Sequence, residues 1–313
     1  MSGPILVTGG TGMVGHNVRD LAEARGLEVV APRHSELELL DRDAVLAYLR
    51  KVKPSVVVNA AGFVGGIEAN MREPVRFLTE NWDMGRNVVL GAREVGVTRL
   101  INLGSSCMYP KDSPHRLTEE DVLAGPLEPT NEAYAIAKSA VQRLCAYIST
   151  ETPALQYKTL IPCNLYGRYD TFDPKRSHLA PAVIHKLHRA KVEGRDTVDI
   201  WGDGSARREF LYAGDLADAV LAGIERYDSL PSLLNIGAGV DHTINEYYEA
   251  AAEVIGFTGR FVHDLSKPVG MKHKLMDVSR ANAWGWTAKT SLKQGLAEAY
   301  EFYKAHVAHM TFD

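Results

Sequence analysis

The sequence predicts an α/β protein, a doubly wound parallel sheet joined to a smaller, mixed α/β C-terminal segment that holds substrate. Three observations carry this. A short apolar run, Pro4-Ile5-Leu6-Val7-Thr8, feeds straight into a glycine turn and then a helical pattern. Strand-like and helix-like segments alternate from there to about residue 165. Beyond that point the pattern loosens and basic residues accumulate. Such alternation implies parallel strands covered by helices on both faces, with ligands outside the strands' carboxyl ends.

The apolar run reads as a buried strand. The turn that follows is Gly9-Gly10-Thr11-Gly12-Met13-Val14-Gly15, after which Val14, Val18, Leu21 and Ala22 share one helix face. Glycines at 9, 12 and 15 make a Rossmann-type dinucleotide fingerprint. The first permits a tight turn, the second lets a pyrophosphate approach the backbone, and the third lets helix and strand pack closely. The helix N-terminus offers its free N–H groups to the phosphates. Residues 28–32 are the second expected strand, ending at Arg33. An acidic residue at this place suits NAD, whereas an arginine suits the 2′-phosphate of NADP, so NADP is the expected cofactor. Asp41 begins the next helix, where it can cap the helix or touch the adenine.

Residues 55–62 form a third strand running into small residues that leave room for a cofactor. A long helix is expected over 74–95, and a strand over 99–104 ends at Ser105-Ser106-Cys107. Tyr134 and Lys138 follow on a helix that reaches about residue 150, and 157–161 is the next strand. Residues four apart share a helix face. An ammonium beside a phenol favours the phenolate, which brings Tyr134 within reach of proton transfer near neutral pH.

Composition narrows the function. The chain has 313 residues and a formal net charge of -4, which argues against binding nucleic acid through a bulk field. No window approaches 18 apolar residues, so no membrane span is expected. The opening strand leaves no room for a signal peptide. Cys107, Cys145 and Cys163 are few, odd in number and without metal spacing; reduced thiols in a cytoplasm, and no metal, are expected. Between Lys158 and Arg208, ten Lys or Arg face six Asp or Glu, a local basic excess that suits an anionic substrate such as a nucleotide diphosphate. One helix is expected there, over 179–191, with Ser177 as its cap and His185 and His188 on its surface. Cys145 and Cys163 are expected to be packing residues.

Several stretches carry a wider resemblance: 104–111, 127–132, 134–138, 164–167, Ser177-His178, 208–211 and Lys274-Leu275-Met276-Asp277-Val278. On these the chain resembles the extended short-chain dehydrogenase/reductases over almost its whole length. Within them it looks like the 3,5-epimerase/4-reductases of GDP-4-keto sugars. The resemblance implies conversion of GDP-4-keto-6-deoxy-D-mannose to GDP-L-fucose, by epimerisation at C3 and C5 and reduction at C4 with NADPH. The alternative is the same chemistry, or C4 reduction alone, on a related GDP-4-keto-deoxy sugar of a colitose or 6-deoxy-heptose pathway.

Protons at C3 and C5 lie α to the keto group and are acidic through an enolate, so one group must remove a proton and another deliver one. The resemblance makes Cys107 the base and His178 the acid; thiol and imidazole have ordinary pKa values near neutrality. It gives Ser105 and Tyr134 the C4 oxygen, and Lys138 the phenol and the nicotinamide ribose. Pro162, Asn164, Leu165 and His178 would complete the cofactor site. Lys186, Trp201, Arg208 and Asp277 would hold GDP, with Trp201 stacking on guanine. Two positions depart from the pattern: Lys186 stands where an arginine is common, and Thr11 where a basic residue would touch the cofactor phosphate. The implied organisation is a cofactor domain over 1–165 with contributions from about 209–240. A sugar-nucleotide domain would span about 166–208 and 241–313. A homodimer through the Tyr134-bearing helix is the implied assembly.

Overall fold

In the computed structural model, which describes residues 3–174, 176–266, 274–310 and 312, the apolar run is β1 (Ile5–Thr8), wholly buried. It turns into α1 (Met13–Ala24), which leads to β2 (Val29–Val30), α2 (Arg42–Val52) and β3 (Val56–Asn59). The chain continues through α3 (Ile67–Arg72), α4 (Pro74–Glu94), β4 (Arg99–Leu103), α5 (Glu132–Glu151) and β5 (Gln156–Pro162). Then come β6 (Asn164–Tyr166), α6 (Leu179–Val192), β7 (Thr197–Trp201), β8 (Arg207–Arg208) and β9 (Phe210–Tyr212). The last part holds α7 (Ala213–Glu225), β10 (Leu233–Ile236), β11 (His242–Thr243), α8 (Ile244–Ile255), β12 (Arg260–Asp264), α9 (Ser279–Trp284) and α10 (Leu292–His306).

Six strands make one parallel sheet in the order β10-β5-β4-β3-β1-β2. Helices α1 and α7 pack together on one face, and α2, α4 and α5 on the other, so both sides of the sheet are apolar cores. The crossover direction reverses at β1, which places a ligand crevice between β1 and β3. Strand β2 is shorter than the expected 28–32. It lies at the sheet edge, pairs with β1 alone, and meets Pro32, which has no N–H to extend the ladder. Strand β3 stops at Asn59, so Ala60–Gly62 already belong to the loop above the sheet.

A buried polar row fixes that end of the sheet. Thr8, Asn59, Asn102 and Thr159 are in register across β1, β3, β4 and β5. Thr8 Oγ1 donates to Asn59 Oδ1 (3.0 Å), and Asn59 Nδ2 to Asn102 Oδ1 (3.0 Å). Each buried amide here would be costly unpaired, so the row specifies one register. The glycine turn, the Ala60–Gly62 loop, the Ser105 turn and the Pro162–Leu165 segment therefore emerge at one rim.

A second apolar core gathers β7, β9, α6, α8 and α10 around Val183, Leu187, Tyr247, Leu296 and Tyr303. Short pairs complete it: β12 beside β7 and β6 beside β9 are parallel, and β11 beside β8 is antiparallel. His185 and His188, expected on the surface, turn inward instead. Their Nδ1 atoms lie 3.0 Å from the hydroxyls of Tyr303 and Tyr300, among aromatic rings of α10. Cys145 and Cys163 are buried. Lys175, one of the ten basic residues counted above, lies outside the described residues. Among the described residues no helix is long and apolar enough to cross a membrane.

Candidate active site

The first turn is a cradle that only glycine can line. Gly9 sits at φ +68°, in the left-handed region that favours glycine. Its carbonyl accepts from Gly12 N at 3.0 Å. A Cβ on Gly15 would fall 2.2 Å from that same oxygen, and one on Gly10 would fall 2.6 Å from Ala31 Cβ. Gly12 is the N-cap of α1 and brings no side chain across the first-turn N–H groups of Met13, Val14 and Gly15. An open, positively polarised helix end fits a pyrophosphate.

Arg33 is exposed just beyond β2, in a turn closed by Glu36, whose carboxylate accepts from Arg33 N at 2.7 Å. Asp41 takes the capping role: Oδ1 accepts from Asp43 N (2.9 Å) and Ala44 N (3.0 Å). Thr11 is exposed on the turn. At the other end of the cradle Pro162 closes β5. Asn164 and Leu165 form β6, where Asn164 Nδ2 donates to the Glu209 carbonyl at 3.1 Å.

Four of the expected catalytic residues come together above β4. Ser105 caps a single 3₁₀ turn, Ser106–Met108, and its Oγ accepts from Cys107 N at 3.2 Å. The turn thereby fixes Ser105 and Cys107 relative to each other. Tyr134 and Lys138 reach the same place from α5, which packs against this turn, with Ser105 close enough to act on the phenol. Lys138 is 6% exposed, and burial pulls its ammonium down to about 8, against the pull of nearby Cys107.

From its spacing, Lys138 is expected to lower the pKa of Tyr134. The structure gives the opposite direction. Burial pushes the phenol well above its ordinary value, Cys107 adds to this, and the Ser105 hydrogen bond only partly offsets it. Desolvation penalises a phenolate more than the neighbouring dipoles help it. Tyr134 is consequently held as a neutral phenol, a proton donor rather than a base.

His178 is itself the N-cap of α6, in place of Ser177, whose N–H donates to Asp173 O at 2.8 Å. His178 is exposed, and desolvation by the surrounding protein lowers its pKa. Around Cys107 stand two residues to which sequence reasoning gave no role. Asn131 Nδ2 lies 3.2 Å from the sulfur. Lys274 is half-buried; burial lowers its pKa, while Cys107 and Glu128 close by raise it. Lys274 arrives here because Leu117 N donates to Leu275 O (3.0 Å) and Asp277 N to Leu117 O (2.8 Å). Nothing in the spacing signals that contact.

Of the four expected nucleotide residues, Lys186, Trp201 and Arg208 stand on elements of the second core, whereas Asp277 lies beside the first, its carbonyl accepting from Asn235 Nδ2 at 3.0 Å. Lys186 is already paired: Nζ lies 2.7 Å from Asp199 Oδ2 and donates to Asp199 O at 2.6 Å. Any further anion at Lys186 would have to share it with Asp199 or displace that carboxylate. Trp201 ends β7 with 60% of its surface exposed. Arg208 in β8 is partly buried and its Nη1 donates to Arg207 O at 2.8 Å. Asp277 accepts from Ser279 N at 2.8 Å, and the Ser279 hydrogen bonds hold its carboxyl below the usual range. Glu209, next to Arg208, ties these parts together. Its buried carboxylate accepts from Gly239 N (2.9 Å) and Met276 N (3.0 Å), and burial pushes it up to about 7.

A dinucleotide cradle facing a Ser–Tyr–Lys cluster is the working arrangement of enzymes that move hydride to and from carbonyl carbons. Residues 5–237 match the NAD dependent epimerase/dehydratase family, and the chain belongs to it. Among known relatives, a GDP-L-fucose synthase of Azorhizobium caulinodans is 48% identical, over 96% of this chain and 96% of that protein. A GDP-L-colitose synthase of Yersinia pseudotuberculosis is 47% identical, over 96% of this chain and 97% of that one. A crystal structure of a GDP-L-fucose synthetase from Naegleria fowleri, bound to NADP, superimposes with a TM-score of 0.90. It is 26% identical, over 98% of this chain and 94% of its own.

Proposed function

We propose that the protein is an NADPH-dependent epimerase/reductase that converts GDP-4-keto-6-deoxy-D-mannose to GDP-L-fucose. The observation that carries this is the Ser105 turn. One turn of chain fixes a carbonyl-binding hydroxyl, close to Tyr134, and a thiol two residues on. A reductase needs the first pair; only an epimerase also needs the second.

Ser105 and Tyr134 hydrogen-bond the C4 oxygen and stabilise the enolate formed when Cys107 takes the C3 or C5 proton. His178 returns a proton to the opposite face. Bound NADPH supplies hydride to C4. Tyr134, neutral in its buried setting, then gives its proton to the C4 oxygen, and Lys138 holds the phenol and the nicotinamide ribose in place. The glycine cradle receives the pyrophosphate and Arg33 the 2′-phosphate; Pro162, Asn164, Leu165 and His178 border the nicotinamide. Trp201 stacks on guanine, Arg208 and Lys186 hold the diphosphate, and Asp277 takes the ribose or base edge. In this division residues 1–165 with about 209–240 hold the cofactor, and about 166–208 with 241–313 hold the sugar nucleotide.

Two copies would join through α5 and its neighbour α4, whose outer surface leaves Ile136, Tyr147, Val75 and Leu78 exposed. A cytoplasmic setting suits the three free thiols. The second reading is the same chemistry, or C4 reduction alone, on a related GDP-4-keto-deoxy sugar; the 47% identity to a colitose synthase favours it as strongly as 48% favours the first. Incubation with NADPH and each GDP-4-keto sugar in turn, with products identified by NMR, decides between them. GDP-L-fucose from the 6-deoxymannose compound supports the first reading; turnover of only the 3-deoxy compound overturns it.

A further inference from the structure

Asn131 occupies the N-cap position of α5, where asparagine ordinarily turns its Oδ1 onto the free N–H groups of the first turn. Here it makes no such bond. Its Nδ2 points at Cys107 Sγ, 3.2 Å away, and its buried Oδ1 has no hydrogen-bond partner among the described residues. A good capping residue has given up its cap and left an acceptor unsatisfied, both of which work against stability. The common cause is the amide N–H held on the sulfur. An N–H donor aimed at sulfur occupies one of its lone pairs and fixes the side-chain rotamer.

We infer that Asn131 is a positioning residue for Cys107, holding the sulfur as a proton acceptor for epimerisation. This rests on the functional reading given above. The same carboxamide plays no part in hydride transfer, which needs Tyr134, Lys138 and the bound cofactor.

Two substitutions separate this role from a structural one. Asn131→Asp is isosteric and caps helices well, since a carboxylate suits both the free N–H groups and the positive helix end. It also replaces the donor on sulfur by an anion. Asn131→Ala removes the donor without adding charge. If Asn131 serves only the helix, stability and activity rank Asp at or above wild type, with Ala below. If it serves Cys107, the proton-transfer order is wild type, then Ala, then Asp.

The experiment follows deuterium incorporation at C3 and C5 of the GDP-4-keto sugar in D2O, alongside NADPH oxidation. For Asn131→Asp, incorporation should fall roughly 10- to 100-fold, the worth of a charge-assisted hydrogen bond. Slow NADPH oxidation should continue and give 4-reduced, incompletely epimerised sugar. A readout without substrate is alkylation of Cys107 by iodoacetamide at pH 7.5, followed by peptide mass spectrometry. Cys145 and Cys163 are buried and do not interfere. Alkylation should slow in the same order, Asp slowest. An Asp variant that exchanges deuterium and is alkylated as fast as wild type overturns the inference. Wild-type protein that incorporates no deuterium overturns the functional reading instead, and the alkylation order then decides the role of Asn131 alone.

Discussion

Gly15→Ala tests the cradle with a displacement that can be worked out beforehand. The added Cβ would lie 2.2 Å from Gly9 O, 2.6 Å from Gly10 Cα and 2.8 Å from Gly9 C, all backbone atoms. Ordinary contact begins near 3.4 Å, so the turn must retreat by about 1 Å. It cannot do so freely. Gly9 is held at φ +68°, and its carbonyl is the acceptor for Gly12 N. Overpacking of this kind costs about 1–3 kcal/mol, and the strained turn bond about 1 kcal/mol more. The variant should melt several degrees below wild type. Its NADPH affinity, measured by fluorescence titration, should fall at least about tenfold, because the moved amides are those facing the pyrophosphate. Gly12→Ala is the comparison: its Cβ meets only Gly9 O, at 3.4 Å, so the fold should survive while the new methyl obstructs the cofactor. Wild-type melting and wild-type NADPH affinity in Gly15→Ala would refute the reasoning.

Three further outcomes are expected. Tyr134→Phe removes the proton donor to C4 and should cut reduction by roughly 10²–10⁴-fold while NADPH binding persists; near-normal reductase turnover contradicts it. Arg33→Ala should weaken NADPH by about 1.5–3 kcal/mol and NADH hardly at all, and equal weakening of both would make Arg33 a mere surface residue. Lys138→Met should stabilise the cofactor-free protein, since the buried ammonium has its pKa lowered from 10.5 to about 8. The unfolded chain then binds the proton more tightly, so the penalty is complete below about pH 8 and fades as pH rises towards 10.5. The gain should be at most about 3 kcal/mol near pH 7 and should shrink through that window, as followed by denaturant titration. A gain that is constant from pH 7 to 10 would show that burial of the charge is not its source.

Much of the parallel sheet was legible because each strand is a short apolar run between turn signals, and because the glycine turn declares its own geometry. Tyr134 and Lys138 could be paired since helical spacing alone puts them on one face. Local sequence carries no information about partners brought by the fold. Asn131 meets Cys107 across 24 positions, and His185 meets Tyr303 across 118. Lys186 looked free because Asp199 joins it only once β7 packs beside α6. The direction of the Tyr134 shift was misjudged for the same reason. Charge proximity can be guessed from spacing, whereas desolvation depends on everything packed around the phenol. Ser177 looked like the cap of α6, but the chain enters that helix one residue later, at His178.

The central claim is that one site performs both proton exchange and hydride transfer. The most direct measurement incubates the wild-type protein and Cys107→Ser with GDP-4-keto-6-deoxy-D-mannose and NADPH in D2O, with products resolved by NMR. Wild-type GDP-L-fucose should carry deuterium at C3 and C5. Cys107→Ser should oxidise NADPH slowly and give 4-reduced sugar lacking the full label. A wild-type product reduced at C4 with no deuterium at either carbon would contradict the claim and make the protein a reductase alone.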